Sequence, residues 1–488
     1  MAPEDSLATR HRSLADPSIT YPLEPALTAG CPETSTDEIQ YPVGVDYDYD
    51  AVDPGLFDPA GSTWGTPGLE RWQPLLPPLA ADTLGEGNTP LLPVDDLENW
   101  LGLESWHEPA GASNADGGSD TTVFLKDESQ NPTWSHKDRL NRCTVSAAVR
   151  EDAAGVVASS TGNHGAAAAA YAARAGLPCV VFTAPRTPAA VQAFIRSYGA
   201  VVLAVDDIDA RQLAVDRLTE EHGFHPVSSR TAVHTGHAWG PEGYKTIAFE
   251  LYCQFGGAVP GTVVIPTCYA ELLYGVWKGF RELEHLDVVD RTPRMVACEP
   301  GVRAPLCRAL ESGAEVAHVE AEPTEAYSIK ATTSSVRGLR AIRESDGIAV
   351  GFSEAHLEAA QHRLAQTGFW QESSGAAGFA GLRALTDVLD GNAAGNSAAR
   401  AVAADGTELE NQRLELELET PVAVVATSSG FKDGAALPGD RMGGAIDGVD
   451  ETADGRQGGA GGWFLAPAVD PTWEAIREAL EAHDGVPV

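Results

Sequence analysis

The stretch NPTWSHKDR, residues 131–139, decides how the rest of the chain is read. It places Lys137 between His136 and Asp138, just after a proline-containing turn and the strand-like run TTVFLKDE (121–128). Lysine is scarce: the chain has only Lys126, Lys137, Lys245, Lys278, Lys330 and Lys432. At a helix start, backbone N–H dipoles disfavour an ammonium, and partial burial lowers a lysine pKa. A lysine held partly neutral can form a Schiff base. Taken alone, Lys137 reads as an exposed helix-start cation; its surroundings change that reading.

From Arg139 onward the pattern is regular alternation. A helix from about Asp138 to Asp152 leads into the strand GVVASS (155–160). The Ala-rich helix GAAAAAYAARAG (165–176) follows, stopped by Gly176 and Pro178. The strand CVVFTA (179–184), the helix TPAAVQAFIRSYG (187–199), the strand AVVLAV (200–205) and another helix come next. PEGYKTIAFELYCQFG (241–256) reads as a helix, and TVVIPT (262–267) opens a second series. RMVACEP (294–300), GIAVGF (347–352) and PVAVVATSSG (421–430) are its later strands. Strands alternating with helices predict βαβ units and parallel sheets, an α/β protein.

Upstream, residues 1–64 are rich in Pro and Asp and read as an irregular segment in which VGVDYDYDAVD (43–53) supplies one edge strand. GEGNTPLLPVDDLENWLG (85–102) reads as a turn, a short extended piece and a helix capped by Asp95 or Asp96. HEPAGASNADGGSD (107–120) is a polar loop. Residues 390–420 and 434–462 are read as solvated surface insertions.

The formal charge is −37, from 70 acidic and 33 basic side chains, and it argues against a nucleic-acid partner. Excess Asp and Glu with few lysines is the profile of a protein kept soluble in high salt, where charges are screened over about 3 Å at about 1 M. A halophilic cytoplasm is the expected setting. No apolar run reaches the roughly 20 residues of a membrane helix, and the N-terminus has no signal-type apolar core. The seven cysteines include no C-x-x-C pair, so neither a metal site nor a disulfide framework is expected.

Two further stretches can carry chemistry. SSTGNHG (159–165) lies between a strand and a helix, where hydroxyls and N–H groups form an anion cup. There Ser160, Thr161, Gly162 and Asn163 would face a carboxylate or phosphate, in the crevice beyond the carboxyl ends of parallel strands. TSSGFKD (427–433) offers clustered hydroxyls after another apolar strand. Each alone is a capped or polar turn, and His164 alone is a structural or solvent-facing histidine.

Together, GEGNTPL (85–91), LERWQPLLP (69–77), FLKDESQNPTWSHKDR (124–139), ASSTGNHGAAAAAYAARAG (158–176), EGYKTIAFEL (242–251), WQESSGAAGFAGL (370–382) and VVATSSGFKD (424–433) resemble threonine synthase. More broadly they resemble the pyridoxal-phosphate enzymes of the tryptophan synthase β fold. The resemblance runs from about residue 65 to 433. It implies two parallel-sheet α/β domains with the active site between them: residues 65–145 with 256–488 as the large cofactor domain, and 146–255 as a smaller mobile one. It implies that Lys137 holds pyridoxal 5'-phosphate and moves protons at the substrate α-carbon. Asn163 would meet the cofactor's phenolic oxygen, and Thr427 its pyridine nitrogen. Ser160, Thr161, Gly162 and His164 would bind the substrate. After VVIP the family has a glycine-rich phosphate loop; here the matching residues are Thr267, Cys268, Tyr269 and Ala270, followed by Glu271.

The implied reaction converts O-phosphohomoserine and water to threonine and phosphate. Trp134 stands where the family usually has Gly, and GNHG (162–165) is similar to dehydratase relatives. Threonine or serine dehydration and β-replacement are therefore alternative readings, and a catalytically weak paralogue acting as a binding or regulatory protein is one of another class. The partner is a small amino-acid substrate, and the family points to a homodimer.

Overall fold

The computed structural model describes residues 6–59, 68–103, 122–185, 187–231, 236–393, 398–410, 412, 418–432, 468–483 and 486–487. The polar loop expected at 107–120 and the insertion expected at 434–462 lie outside them.

The N-terminal region holds β1 (Ala8–Ser13), β2 (Thr20–Pro22) and β3 (Val43–Tyr47). Next come β4 (Leu91–Pro93), α1 (Asp95–Leu101), β5 (Val123–Asp127) and α2 (Lys137–Arg150). A regular series follows: β6 (Gly155–Ser159), α3 (Asn163–Ala175), β7 (Cys179–Thr183), α4 (Ala189–Ser197), β8 (Val201–Ala204), α5 (Ile208–His222), β9 (Phe224–Pro226) and α6 (Gly240–Gln254). The second series runs β10 (Thr262–Pro266), α7 (Glu271–His285), β11 (Arg294–Pro300), α8 (Pro305–Ser312), α9 (Val336–Glu344), β12 (Ile348–Phe352), α10 (Glu354–Gln366) and α11 (Ala377–Leu389). The chain ends with β13 (Arg400–Ala403), β14 (Val422–Ala426) and α12 (Trp473–Glu481).

These strands form three sheets. The larger α/β sheet has the order β13-β12-β11-β10-β14-β5-β4, parallel from β12 to β5 with antiparallel strands at both edges. The smaller, β8-β7-β6-β9, is parallel throughout. Side-chain alternation divides the core: Val263, Ile265, Ala423 and Val425 face one layer, and Val264, Val296, Val422 and Val424 face the other. In the smaller sheet Val156, Ala158 and Val181 face α3, while Val157, Val180 and Phe182 face α5. Both faces are covered, which is why these strands read as continuous apolar runs.

Four expectations are corrected. Within the segment 1–64 that was expected to be irregular, the described residues 6–59 hold a sheet: β1 pairs with both β2 and β3, and VGVDY is an edge strand. Neither Asp95 nor Asp96 caps α1; the N-cap is Val94, held by its N–H to Val123 O at 3.1 Å, and both carboxylates lie in the first turn, where the helix dipole favours them. Part of the insertion expected at 390–420 is β13, whose Ala401 and Val402 are fully buried against the sheet. Finally, residues up to 488 were assigned to the large domain, yet Ala468 bridges Ala204 and α12 buries Ile476 and Leu480 against the smaller sheet's core.

Candidate active site

Lys137 is the first residue of α2, and the loop before it is fastened at nearly every position. Asn131 donates to Glu128 Oε2 at 2.9 Å, and the Thr133 N–H and hydroxyl donate to the buried Asp138 carboxylate at 2.7 and 2.6 Å. Ser135 bridges Ser428, and the Ser429 N–H donates to Trp134 O at 3.0 Å. The His136 N–H donates to Thr427 O at 3.0 Å, and its ring Nδ1 lies 3.1 Å from the same oxygen. A carbonyl only accepts, so Nδ1 carries the proton. Burial, then the Lys137 charge, holds the His136 pKa well below the histidine range, so the ring stays neutral.

Behind this loop lies a buried ion network. Arg139 donates to Glu128 at 2.7 and 2.8 Å and to Glu250 at 2.6 and 2.8 Å, and Lys126 reaches Glu250 at 2.6 Å. Gly243 lets α6 approach: a Cβ there would sit 2.0 Å from Arg139 O. The Lys137 amine is half-buried, 5.6 Å from the centre of the Tyr244 ring. Burial lowers its pKa below the ordinary lysine value, opposed by Glu271, Cys268 and Glu372.

Facing it from the smaller sheet is the head of α3. Asn163 is buried, and its amide donates to Glu372 Oε1 at 2.8 Å. The Ser160 hydroxyl accepts from the Gly162 and Gly165 N–H groups at 3.2 and 2.9 Å, forming the turn that starts the helix. Thr161 and His164 are half-buried beside it. A Cβ on Gly162 would stand 3.9 Å from Ser328 Oγ and from the Tyr327 ring, so these two residues cover the cup.

Sequence reasoning missed Glu372 and Tyr327. Tyr327 donates to Glu372 Oε2 at 3.3 Å, and the Glu372 charge acts on both Lys137 and Lys432. Glu372 stands inside WQESSG, a stretch already singled out; its isolation among hydroxyls and glycines was the available signal. Lys432 donates to Thr133 O at 3.0 Å, and burial brings its pKa down to about 8.

The residues after β10 converge less well. The Thr267 hydroxyl turns back to Ile265 O at 2.9 Å, and the Tyr269 side chain is 38% exposed. Burial pushes the Cys268 thiol up to about 12. Ala270 adopts φ +61°, the left-handed conformation that favours glycine, and α7 begins without a capping side chain. What this loop offers an anion is main-chain amides at a helix start. Glu271 sits at that start, 3.9 Å from the buried Arg337.

A half-buried lysine of lowered pKa, with amide and hydroxyl groups near it, is the kind of group that can form a Schiff base with a carbonyl compound. The chain belongs to the pyridoxal-phosphate dependent enzyme family, whose model matches residues 83–399. It is similar to threonine synthase of Methanosarcina acetivorans, 30% identical over 73% of this chain and 85% of that one. It is likewise similar to threonine synthase of Synechocystis, 34% identical over 67% and 79% of the two chains. Maize serine racemase shares the fold, with a TM-score of 0.53 at 18% identity, covering 70% of this chain and 88% of that one. So does a fungal L-serine ammonia-lyase from Rhizomucor miehei, with a TM-score of 0.53 at 19% identity over 70% and 94%. The protein is a pyridoxal-phosphate lyase of threonine synthase-like type.

The residues present fit that cofactor at the lysine end. The buried hydroxyls of Ser135 and Ser428, two residues whose backbones bridge, find no hydrogen-bond partner among the described residues. Buried hydroxyls call for polar partners, and a polar cofactor supplies them.

Proposed function

We propose that the protein converts O-phosphohomoserine and water to threonine and phosphate, with Lys137 as the cofactor lysine. The observation that carries this reading is Lys137, half-buried and lowered in pKa, with the charge of Glu372 acting on it while Glu372 accepts from Asn163 of the smaller sheet's α3. Pyridoxal phosphate, when bound, supplies an electron-accepting ring that acidifies the substrate α-C–H. Lys137 would hold the cofactor through its amine and, when that amine is free, would take the α-proton and then a β-proton of the substrate. Phosphate would leave from the γ-carbon, the γ-carbon would gain a proton, water would add its hydroxyl at the β-carbon, and the α-carbon would be reprotonated.

Asn163 would donate to the cofactor's phenolic oxygen, and its contact with Glu372 fixes the direction of that amide. The Thr427 hydroxyl would meet the pyridine nitrogen without forcing its protonation. Ser160, Thr161 and Gly162 bind the substrate carboxylate at the start of α3, with His164 beside them. The amides of Thr267, Cys268, Tyr269 and Ala270 hold the cofactor phosphate. Residues 146–255 act as the smaller mobile domain. The acidic excess supports a halophilic cytoplasm, and a homodimer is the proposed assembly.

Dehydration of threonine or serine is a second reading, favoured at Gly165. A Cβ there would lie 3.0 Å from Val181 Cγ1 and 3.3 Å from Ser160 Cβ, so the cup packs around a glycine. A substrate panel separates the two: phosphate release from phosphohomoserine alone supports the first, and keto-acid formation from threonine supports the second. Absorbance near about 410–430 nm, fixed on Lys137 by borohydride, tests the lysine itself. A protein that stays colourless with added cofactor would sink both.

A further inference from the structure

The carboxyl end of β11 and the start of β13 border a cavity of about 410 Å³ whose lining shares no residue with the site above. Arg303, Arg308, Arg400 and His318 line it, with Gly301 and Glu320. Three arginines around one cavity stand out in a chain with 33 basic and 70 acidic side chains. Arg303 donates to the main-chain oxygens of Glu322 and Lys330 at 2.6 and 2.5 Å. These main-chain acceptors orient the guanidinium, and the nearby Glu322 carboxylate acts on its charge. Arg308 and Arg400 both reach Glu311, at 3.3 and 3.4 Å, which gathers the two guanidinium groups at one side of the cavity. Gly301 has no room for a side chain, because a Cβ would lie 1.7 Å from Ala398 O. The turn after β11 is therefore closed tightly against the start of β13.

We propose that this cavity is a regulatory site for a small phosphate-type anion, inorganic phosphate or a phosphomonoester. The guanidinium fork matches phosphate oxygens in pairs. The volume is that of a small-molecule site, and the crevice beyond the carboxyl ends of parallel strands is where such sheets bind ligands.

The cavity also has a route to the active site. The Val319 N–H donates to Thr332 O at 2.9 Å, and His318 Nδ1 lies 3.0 Å from Thr333 Oγ1. Arg303 grips Lys330 O in the same segment. That segment carries Ser328 to Gly162 and Tyr327 to Glu372. An anion held by Arg303 and His318 braces residues 318–333, and with them the cover over the α3 cup.

The test is calorimetric titration of the cofactor-loaded protein with inorganic phosphate, and separately with glycerol phosphate, at constant ionic strength set by chloride. It does not depend on which reaction the enzyme performs. One saturable site is expected, weakened at least tenfold by Arg308→Ala, an exposed position where folding is not at stake, and by Arg303→Lys. Tighter binding of glycerol phosphate identifies a phosphomonoester as the ligand; equal binding identifies phosphate. Slower hydrogen exchange in 318–333 on adding the anion is the second expected result. No saturable binding overturns the proposal, as does binding that neither substitution weakens. Binding seen only without cofactor also overturns it, by giving the cavity to the cofactor's own phosphate.

Discussion

The loop that ends at Lys137 and the loop that follows β10 face the same site but are built in opposite ways. Residues 131–136 are fastened by Glu128, Asp138, Thr427 and Ser428, side chains and backbone from three separate stretches. Residues 267–270 are tied at Thr267 and then run into an uncapped helix, with a left-handed alanine and a carboxylate at its start. On the proposed reading the lysine end needs one amine in one place, so its neighbours are specified residue by residue. The proposed anion end would rely on main-chain amides, which any sequence supplies once the backbone bends correctly.

The largest effect expected from breaking this contrast is at Lys137. Lys137→Ala should abolish borohydride-stable labelling and lower turnover at least about 10³-fold, the scale of a lost covalent catalyst; mass spectrometry and steady-state assays read both. Next is the scaffold under the loop. Arg139→Met leaves the buried Glu128 without its cation and Glu250 with Lys126 alone, and should cost about 3–5 kcal/mol, measured by denaturant unfolding. A change below about 1 kcal/mol would mean the network does not anchor the loop. At the other end, Glu271→Gln should tighten cofactor binding about fivefold or more, since like charges about 4 Å apart repel by about 1 kcal/mol even in water. A fluorescence titration with pyridoxal phosphate checks it, and unchanged affinity would place the phosphate elsewhere. The smallest effect is at Trp134, held at φ +62° and stacked on Phe194 with centroids 5.4 Å apart. Trp134→Gly relieves strain of about 1–3 kcal/mol and loses a ring contact of about 0.5–1.5 kcal/mol. The unfolding midpoint should shift little, by roughly 1 kcal/mol, while indole fluorescence falls.

The same contrast sets what was legible in the sequence. The parallel strands announce themselves because both faces are buried, as in GVVAS and TVVIP. Lys137 is singled out in the sequence by the ordered motifs around it, and the scarce lysines are mostly inside: among the six only Lys330 is exposed. The N-terminal sheet was missed because β1, ATRHRS, is nearly all polar. Its His11 is buried through tertiary structure, accepting from Trp239 Nε1 at 3.1 Å, far along the chain. Strand β13 was missed because four residues containing two alanines carry little strand preference. Helix α12 was misassigned because no local pattern says which sheet a terminal helix will cover. Glu372 escaped because one carboxylate among polar residues has no period, and only the fold brings it to Asn163.

The fastening of His136 to Thr427 also orders events in time. The two residues are 291 positions apart, and β14 enters the middle of the larger sheet between β10 and β5. On a ribosome, where chains emerge from the N-terminus and contacts of long sequence separation close late, the smaller sheet's β6 to β9 are complete while the loop before Lys137 still lacks its brace. The nascent chain therefore holds an unassembled site until residues near 430 are out, and cofactor capture becomes a report that the larger sheet has closed.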